Sequence, residues 1–356
     1  MSNTLSGGRV KGEKLPTARI LRNRPFPQTD RAPQRGRSVP GTEAEAGVYI
    51  GSVQTPEAAL SDTPVLPPAA GTMTVRILRA GLTSCVDMED RVAVEAPLEY
   101  LLHHPAVGLE PVSFGTTMRT PGDDEYLAAG LLYGEGMIEA ATDIEAIESS
   151  TRRPNVVNVR LNPGVRMEMQ TATRRFSAGS SCGVCGTTGL DAAIARSAAI
   201  RIAETPAIDL SLLLSLPERM REAQSTFDDT GGIHAAALFD FSGRLVTVAE
   251  DVGRHNAFDK LVGECLLLER LPLTNHIVLL SGRASFELLQ KALRAGVSIV
   301  AAIGAPSSLA VNLAVASGLT LVGFLRGTHC NVYSGPQRFA ANPGVWDGHS
   351  ASPHQD

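Results

Sequence analysis

Apolar and polar positions follow a regular period only between about Met73 and Asn342. Alternation over residues 156–161 (VVNVRL) and 167–171 predicts two strands. The run Thr120-Pro121-Gly122-Asp123-Asp124-Glu125 reads as a helix start, with Thr120 as N-cap, Pro121 at the first helical position and acids in the first turn. That helix is predicted through Tyr126, Leu127, Leu131 and Leu132 to Gly134. Farther along, residues 233–240 and 245–250 read as strands joined by the hairpin-like Phe241-Ser242-Gly243-Arg244. A helix through Phe258, Leu261, Val262 and Cys265 to Leu268 follows. Next come a strand at 277–280, a helix at 286–295, a strand at 298–302, a helix at 309–317 and a strand at 320–324. Strands alternating with helices of this length predict parallel pairing with crossover helices, hence an α/β layered sheet.

Outside that stretch the pattern fails. The first 72 of the 356 residues hold nine Pro and eight Gly with little apolar periodicity, too little to offset chain entropy, which predicts a disordered leader. Its first forty residues carry nine bases against two acids, a solvated tail rather than a nucleic-acid or membrane arm, since no helical face gathers the arginines. The whole chain carries 32 Lys+Arg against 37 Asp+Glu, so the body beyond residue 72 is acidic. No apolar run reaches the roughly 18 residues of a membrane span, and the N-terminal region lacks the pattern of a secretory signal. A cytoplasmic protein with no nucleic-acid and no membrane partner is expected. Five cysteines are too few and too odd a count for a disulfide framework, so a paired spacing among them points to redox, metal or sulfur chemistry.

That spacing occurs once, in Ser180-Ser181-Cys182-Gly183-Val184-Cys185-Gly186, inside a Gly/Ser/Cys-rich loop over 178–189. Small neighbours leave both sulfurs accessible, and Arg174 and Arg175 upstream favour thiolate. Thiol or sulfur transfer, metal ligation, a thioredoxin-like dithiol and a structural pair all remain open. Zinc would ask for a second Cys/His pair, whereas Cys85, Cys265 and Cys330 stand alone and Cys265 lies in an apolar helical run. A zinc deaminase would show H-x-E and a Pro before the first Cys, and Ser181 stands there.

Polar residues also gather where predicted strands meet helices. Gly231-Gly232-Ile233-His234 precedes one strand, and Glu250-Asp251-Val252-Gly253-Arg254-His255-Asn256 opens a helix containing Asp259 and Lys260. Such junctions build ligand sites in α/β sheets, and so dense a charged run favours a site over Glu250 and Asp251 as mere helix caps, whereas a lone His234 in the strand reads as an ordinary core or surface histidine. Ser281-Gly282-Arg283-Ala284-Ser285 and Gly304-Ala305-Pro306-Ser307-Ser308 form two more such turns, in which Arg283 could fork phosphate oxygens and the serines cap helices. Gly323-Phe324-Leu325-Arg326-Gly327-Thr328-His329 leaves the last strand with a cation. Several phosphate-competent turns in succession suggest a nucleotide-sized anion. His103-His104-Pro105 resembles an insertion, and His104 is a weak candidate metal ligand.

Taken together, Cys182–Gly186, Gly231 through Ala237, Glu250 through His255, Asp259-Lys260, Ser281 with Arg283-Ala284-Ser285 and Leu321-Val322-Gly323-Phe324 resemble the formate dehydrogenase accessory sulfurtransferase (FdhD) family over residues 75–338. The resemblance implies a cytidine-deaminase-like layered α/β sheet without deaminase zinc chemistry, a smaller additional α+β region and a homodimer. It divides the chain into a leader at 1–72, an α+β region at 73–177, a catalytic loop with the α/β region at 178–342 and a flexible tail at 343–356. The implied activity is transfer of persulfide sulfur from a cysteine desulfurase to the molybdenum cofactor, Mo-bis(molybdopterin guanine dinucleotide), before it enters formate dehydrogenase. Cys182 then matches the persulfide carrier and Cys185 its loop partner. Phe324, Leu325, Arg326, Gly327, Thr328 and His329 match the cofactor-contacting stretch, with Arg326 and His329 the stronger candidates, and no resident metal is implied. A cofactor-binding chaperone with a redox or structural C-x-x-C is the alternative.

Overall fold

The computed structural model of the protein describes residues 71–150, 152–166, 200 and 207–340. The chain divides into Met1–Leu66, which holds none of these residues, and Pro67–Asp356, which holds all of them. The expected strand at 167–171, the C-x-x-C loop and the tail after residue 342 lie outside the described residues.

Among the described residues, three sheets and six α-helices make up the fold. A ribbon of β1 (Thr72–Ala80) and β2 (Cys85–Ala93) comes first. A four-stranded sheet follows, formed by β3 (Ala96–His103), β4 (Val112–Arg119), β5 (Ile144–Ser149) and β6 (Val156–Leu161) in the order β4-β3-β6-β5. Helix α1 (Asp124–Gly134) lies between β4 and β5 in the chain. The largest sheet contains β7 (His234–Asp240), β8 (Leu245–Asp251), β9 (His276–Leu280), β10 (Ile299–Ala302), β11 (Thr320–Gly323) and β12 (Asn331–Ser334), ordered β12-β11-β10-β9-β7-β8. Its helices are α2 (Leu210–Ala223), α3 (Ser225–Thr230), α4 (Arg254–Leu267), α5 (Phe286–Arg294) and α6 (Ser308–Ser317).

Strand alternation sorts the large sheet into two apolar layers. Leu238, Val278, Val300 and Leu321 point to the face covered by α4, α5 and α6, in a cluster that continues through Leu127 and Leu132 of α1 to Leu98 and Val157 of the four-stranded sheet. Their neighbours Ala237, Leu279, Ala301 and Val322 point the other way, onto Leu213, Leu216 and Met220 of α2. Helix α1 approaches α4 at backbone distance. A Cβ on Gly130 would lie 1.8 Å from the Asp259 carbonyl oxygen, and one on Gly263 would lie 1.8 Å from that of Tyr126.

Two sequence expectations change. The pairing is mixed: β9, β10 and β11 are parallel, whereas β7 is antiparallel to β8 and β9, and β12 is antiparallel to β11. A short turn between β7 and β8 reverses the chain, and only the later connections contain a helix long enough for a crossover. Helix α1 starts at Asp124, not at Pro121, because Gly122 (φ 112°) and Asp123 (φ 56°) turn the chain first. Thr120 caps nothing there. Its Oγ1 accepts instead from the Val252 amide, 3.1 Å away.

Candidate functional site

Parallel strands β9, β10 and β11 end on the same side of the sheet, where β7 starts and β8 ends. A cleft of about 960 Å³ opens at this edge, lined by His234, Val252, Ser281, Ile303 and Gly327, with Arg221 and Phe227 on its helical wall. Crevices outside the carboxyl ends of strands are where open α/β sheets bind ligands, because backbone N–H groups and helix starts converge there.

The floor is held by backbone hydrogen bonds between successive turns. Gly304 N donates to Gly282 O, Ala284 N to Ala305 O and Ser307 N to Ala284 O. Phe324 N then donates to Gly304 O and Leu325 N to Ala302 O. A Cβ on Gly304 would stand 2.8 Å from Gly282 O, so this stitching needs glycine. Three turns that are separate in sequence thus form one surface. Ser285 and Ser307 do cap α5 and α6, accepting from Leu288 N and Ala310 N.

Ser281 Oγ accepts from the Ala235 amide at 2.9 Å and lies 3.3 Å from His234 Nδ1. The hydroxyl hydrogen is left to donate to Nδ1, which puts the ring proton on Nε2. Burial, reinforced by Arg254, holds the His234 imidazole below its ordinary pKa and therefore neutral. Arg254, the first residue of α4, sits against Gly282 beside this histidine; its Nε is buried without a hydrogen-bond partner, and it makes no ion pair among the described residues. A cation in that state is suited to receive an anion. His234 was read from sequence as an ordinary strand histidine, and only the adjoining Gly231-Gly232 pair hinted at an open edge. The contribution of α2 and α3 carried no sequence signal.

The junction after β8 resolves into scaffolding. Glu250 caps α3, accepting from Thr226 N and Phe227 N at 2.9 Å, and so caps a helix that precedes it in the chain. Asp251 is fully buried; it pairs with Lys260 at 2.8 Å and accepts from Thr120 N, Gly253 N and Asn256 Nδ2. His255 Nε2 lies 3.2 Å from Ser285 Oγ and 3.4 Å from Glu287 Oε2. Burial, with Arg254 adding to it, lowers His255 to about 3, and burial raises Glu287 to about 7.

The six residues of the expected cofactor-contacting stretch divide by position. Phe324 takes a left-handed conformation (φ 52°), which turns the chain out of β11. Leu325 is 0% exposed and packs in the layer under α2, so its side chain serves the core. Arg326 Nη1 donates to Ile303 O at 2.8 Å and to Leu325 O at 3.1 Å, while its amide donates to His329 O and closes a tight exposed turn through Gly327 and Thr328. Thr328 Oγ1 and His329 Nδ1 are 3.1 Å apart. Arg283 is exposed.

Cys182 and Cys185, with Arg174 and Arg175, lie outside the described residues. Cys265 is buried, and burial pushes its thiol up to about 12. Cys85 is exposed and Cys330 half-buried. His104 is buried and caps a short 3₁₀ turn, its Nδ1 accepting from Ala106 N at 3.1 Å. Among the described residues no three His, Cys, Asp or Glu side chains gather as metal ligands, and no helix is long and apolar enough to cross a membrane.

Three comparisons bear on this edge of the sheet. The sequence profile of the FdhD/NarQ family matches residues 103–340, a span that includes all five strand-end turns. Sulfur carrier protein FdhD of Streptomyces coelicolor is 48% identical over 268 residues, 73% of this chain and 92% of that protein. Its counterpart in Mycobacterium tuberculosis is 41% identical over 273 residues, 74% of this chain and 96% of that one. The crystal structure of a proposed formate dehydrogenase accessory protein from Desulfotalea psychrophila superposes with a TM-score of 0.58 at 25% identity, covering 76% of this chain and 99% of that one.

Proposed function

Because the chain belongs to the FdhD/NarQ family, we propose that it is a cytoplasmic sulfur carrier in the maturation of formate dehydrogenase. Cys182 takes persulfide sulfur from a cysteine desulfurase, and the sulfur passes to Mo-bis(molybdopterin guanine dinucleotide), the cargo that formate dehydrogenase then receives. The observation that carries the cofactor half of this reading is the cleft at the strand ends. Its volume suits a guanine nucleotide portion, and Arg326 and the unpaired Arg254 stand beside it as guanidinium partners for phosphate. The large mixed sheet, with α4 to α6 on one face and α2 on the other, supports the cytidine-deaminase-like architecture that the resemblance implies.

The sulfur half rests on Cys182 and Cys185 as matched to the family. The Cys182 thiolate attacks the outer sulfur of the desulfurase persulfide, and the donor cysteine leaves as thiolate, with no net oxidation. In the resolving role open to Cys185, its thiolate attacks the inner sulfur of the Cys182 persulfide. The S–S bond breaks, hydrosulfide leaves toward the cofactor, and the two cysteines end as a disulfide that supplied both electrons.

Intact-protein mass spectrometry after incubation with a cysteine desulfurase and cysteine tests this directly. The parent chain and Cys185→Ser are expected to gain one sulfur that reductant removes, and Cys182→Ser to gain none while still binding GDP. A parent chain that stays unmodified would overturn the carrier role and leave a cofactor-binding chaperone.

A further inference from the structure

His234 opens β7 and Ser281 follows β9, and both line the cleft. Ser281 Oγ accepts from Ala235 N at 2.9 Å, which occupies one of its two lone pairs, and it lies 3.3 Å from His234 Nδ1. That second contact works in either direction. With a neutral ring the hydroxyl hydrogen donates to Nδ1. With a charged ring Nδ1–H donates to the second lone pair, and the hydroxyl hydrogen turns elsewhere. A backbone carbonyl in this place would demand a proton on Nδ1 and a backbone amide would forbid one, whereas a hydroxyl serves both states with no heavy atom moved. The other ring nitrogen, Nε2, makes no hydrogen bond among the described residues.

The charges around the ring decide which state it holds. Arg254 at the start of α4 acts with burial against a second positive charge, and its Nε has no hydrogen-bond partner. Asp251 at the end of β8 favours that charge but is already paired with Lys260. His255, next along α4, is held neutral by burial. Glu218 and Arg221 of α2 line the helical wall, where Arg221 pairs with Asp228, and Arg326 on the rim is held by carbonyl groups. An anion against Arg254 offsets the guanidinium charge that opposes protonation and adds an attraction of its own. We propose that His234 is an anion-binding residue of the cleft, neutral before the anion arrives and charged by a proton from solvent when a phosphate group sits against Arg254. Ring and guanidinium then face the anion as two charged donors, and the released Ser281 hydrogen is placed to join them. This charge switch rests on the reading of the cleft as the nucleotide end of the cofactor site.

GDP-mannose is a suitable probe, because its pyrophosphate diester keeps the same charge from pH 6 to pH 8 and cannot itself exchange the proton. Titration calorimetry of the full chain in buffers of different ionisation enthalpy counts the protons bound with it. The parent is expected to take up protons and to bind more tightly as pH falls from 8, by up to about tenfold per pH unit while one proton is taken up. His234→Gln keeps an N–H donor near Nε2 but cannot charge, so it should bind with the parent's pH 8 affinity at every pH and take up none. Glu287, also held near neutrality, is the control: Glu287→Gln should keep the uptake. Ring nitrogen shifts of the labelled parent at pH 7 read the event without a substitution, and one imidazole is expected to pass from neutral to charged when the probe is added. Binding without proton uptake, uptake that survives His234→Gln or disappears in Glu287→Gln, or ring shifts that stay neutral would each overturn the charge switch alone. A chain that binds no GDP-mannose would overturn it together with the nucleotide reading of the cleft.

Discussion

Arg326 follows β11 and Arg283 follows β9, on either side of β10, and their surroundings set them different tasks. Arg326 donates to the carbonyls of Ile303 and Leu325, which fixes its planar fork at the rim of the cleft before any ligand arrives. Arg283 is exposed and makes no such bond among the described residues. Ordering a long side chain in advance reduces the entropy lost on binding, so the held guanidinium should contribute more to anion affinity. Arg326→Ala is expected to weaken GDP binding by about 1.5–3 kcal/mol, the range of a hydrogen bond to a charged group. Arg283→Ala should change it little. Titration calorimetry on both variants checks the contrast, and equal affinities for parent and Arg326→Ala would remove the phosphate from this rim. Leu325, between the exposed Phe324 and Arg326, shows what the motif alone left unread. Its place in the core follows from the left-handed turn at Phe324, a conformation without a residue signature at a non-glycine position.

At the level of elements, the closest approach is between α1 and α4. Their glycines face backbone carbonyls rather than side chains, so no rotamer change can make room for a methyl group. Gly263→Ala must part the two helices over an interface whose apolar residues reach into both sheets. Overpacking of this kind costs about 1–3 kcal/mol and more where backbone must move. A fall of several degrees in melting temperature is the expected outcome, by about 2–4 °C per kcal/mol for a domain of this size. An unchanged melting curve would show that the helices do not meet as described. In the large sheet β7 to β11 and α4 to α6 were legible because alternation and a 3.6-residue period mark them, as alternation over 156–161 marks β6 of the four-stranded sheet, whereas β12, α2 and α3 were not. The antiparallel β7–β8 hairpin was legible in its four-residue connection at Phe241–Arg244, whereas the place of β7 between β8 and β9 was not, since that pairing joins residues far apart in the chain. Glu250 was legible as a cap but not for which helix, because α3, its target, has six residues and little period. The cleft was legible as turns rich in Gly and Ser, while its helical wall comes from residues such as Phe227 that sequence would assign to a core.

Across the whole molecule, buried polar groups tie the four-stranded sheet to the large one. Lys260 donates to Thr120 O at the end of β4, and Asp251 accepts from Thr120 N, so the turn that carries Arg254 and His255 is fixed by groups from both layers. Farther in, Asp259 and Lys291 pair at 2.6 Å, and Lys291 also approaches Glu287 at 3.7 Å. This interior sets how global stability responds to pH. The folded chain holds His255 at about 3, against an ordinary 6.5, through burial and the facing charges of Arg254 and Lys291. It holds Glu287 at about 7, against 4.5, through burial and the nearby Asp259 and Glu135, with Lys291 and Arg254 opposing. Between pH 4.5 and 6.5 the unfolded chain therefore carries one proton on His255, and the folded chain carries one on Glu287. Equal proton counts give no slope, so this pair leaves stability level across that window. Glu287→Gln removes the proton from the folded side only. The unfolded state then binds one proton more, and stability should fall as pH drops from 6.5, at up to about 1.4 kcal/mol per pH unit. Denaturant midpoints for parent and variant at pH 5, 6 and 7 give the difference directly. The gap should widen steadily toward pH 5, and parallel profiles would mean that the two side chains do not exchange a proton's place on folding.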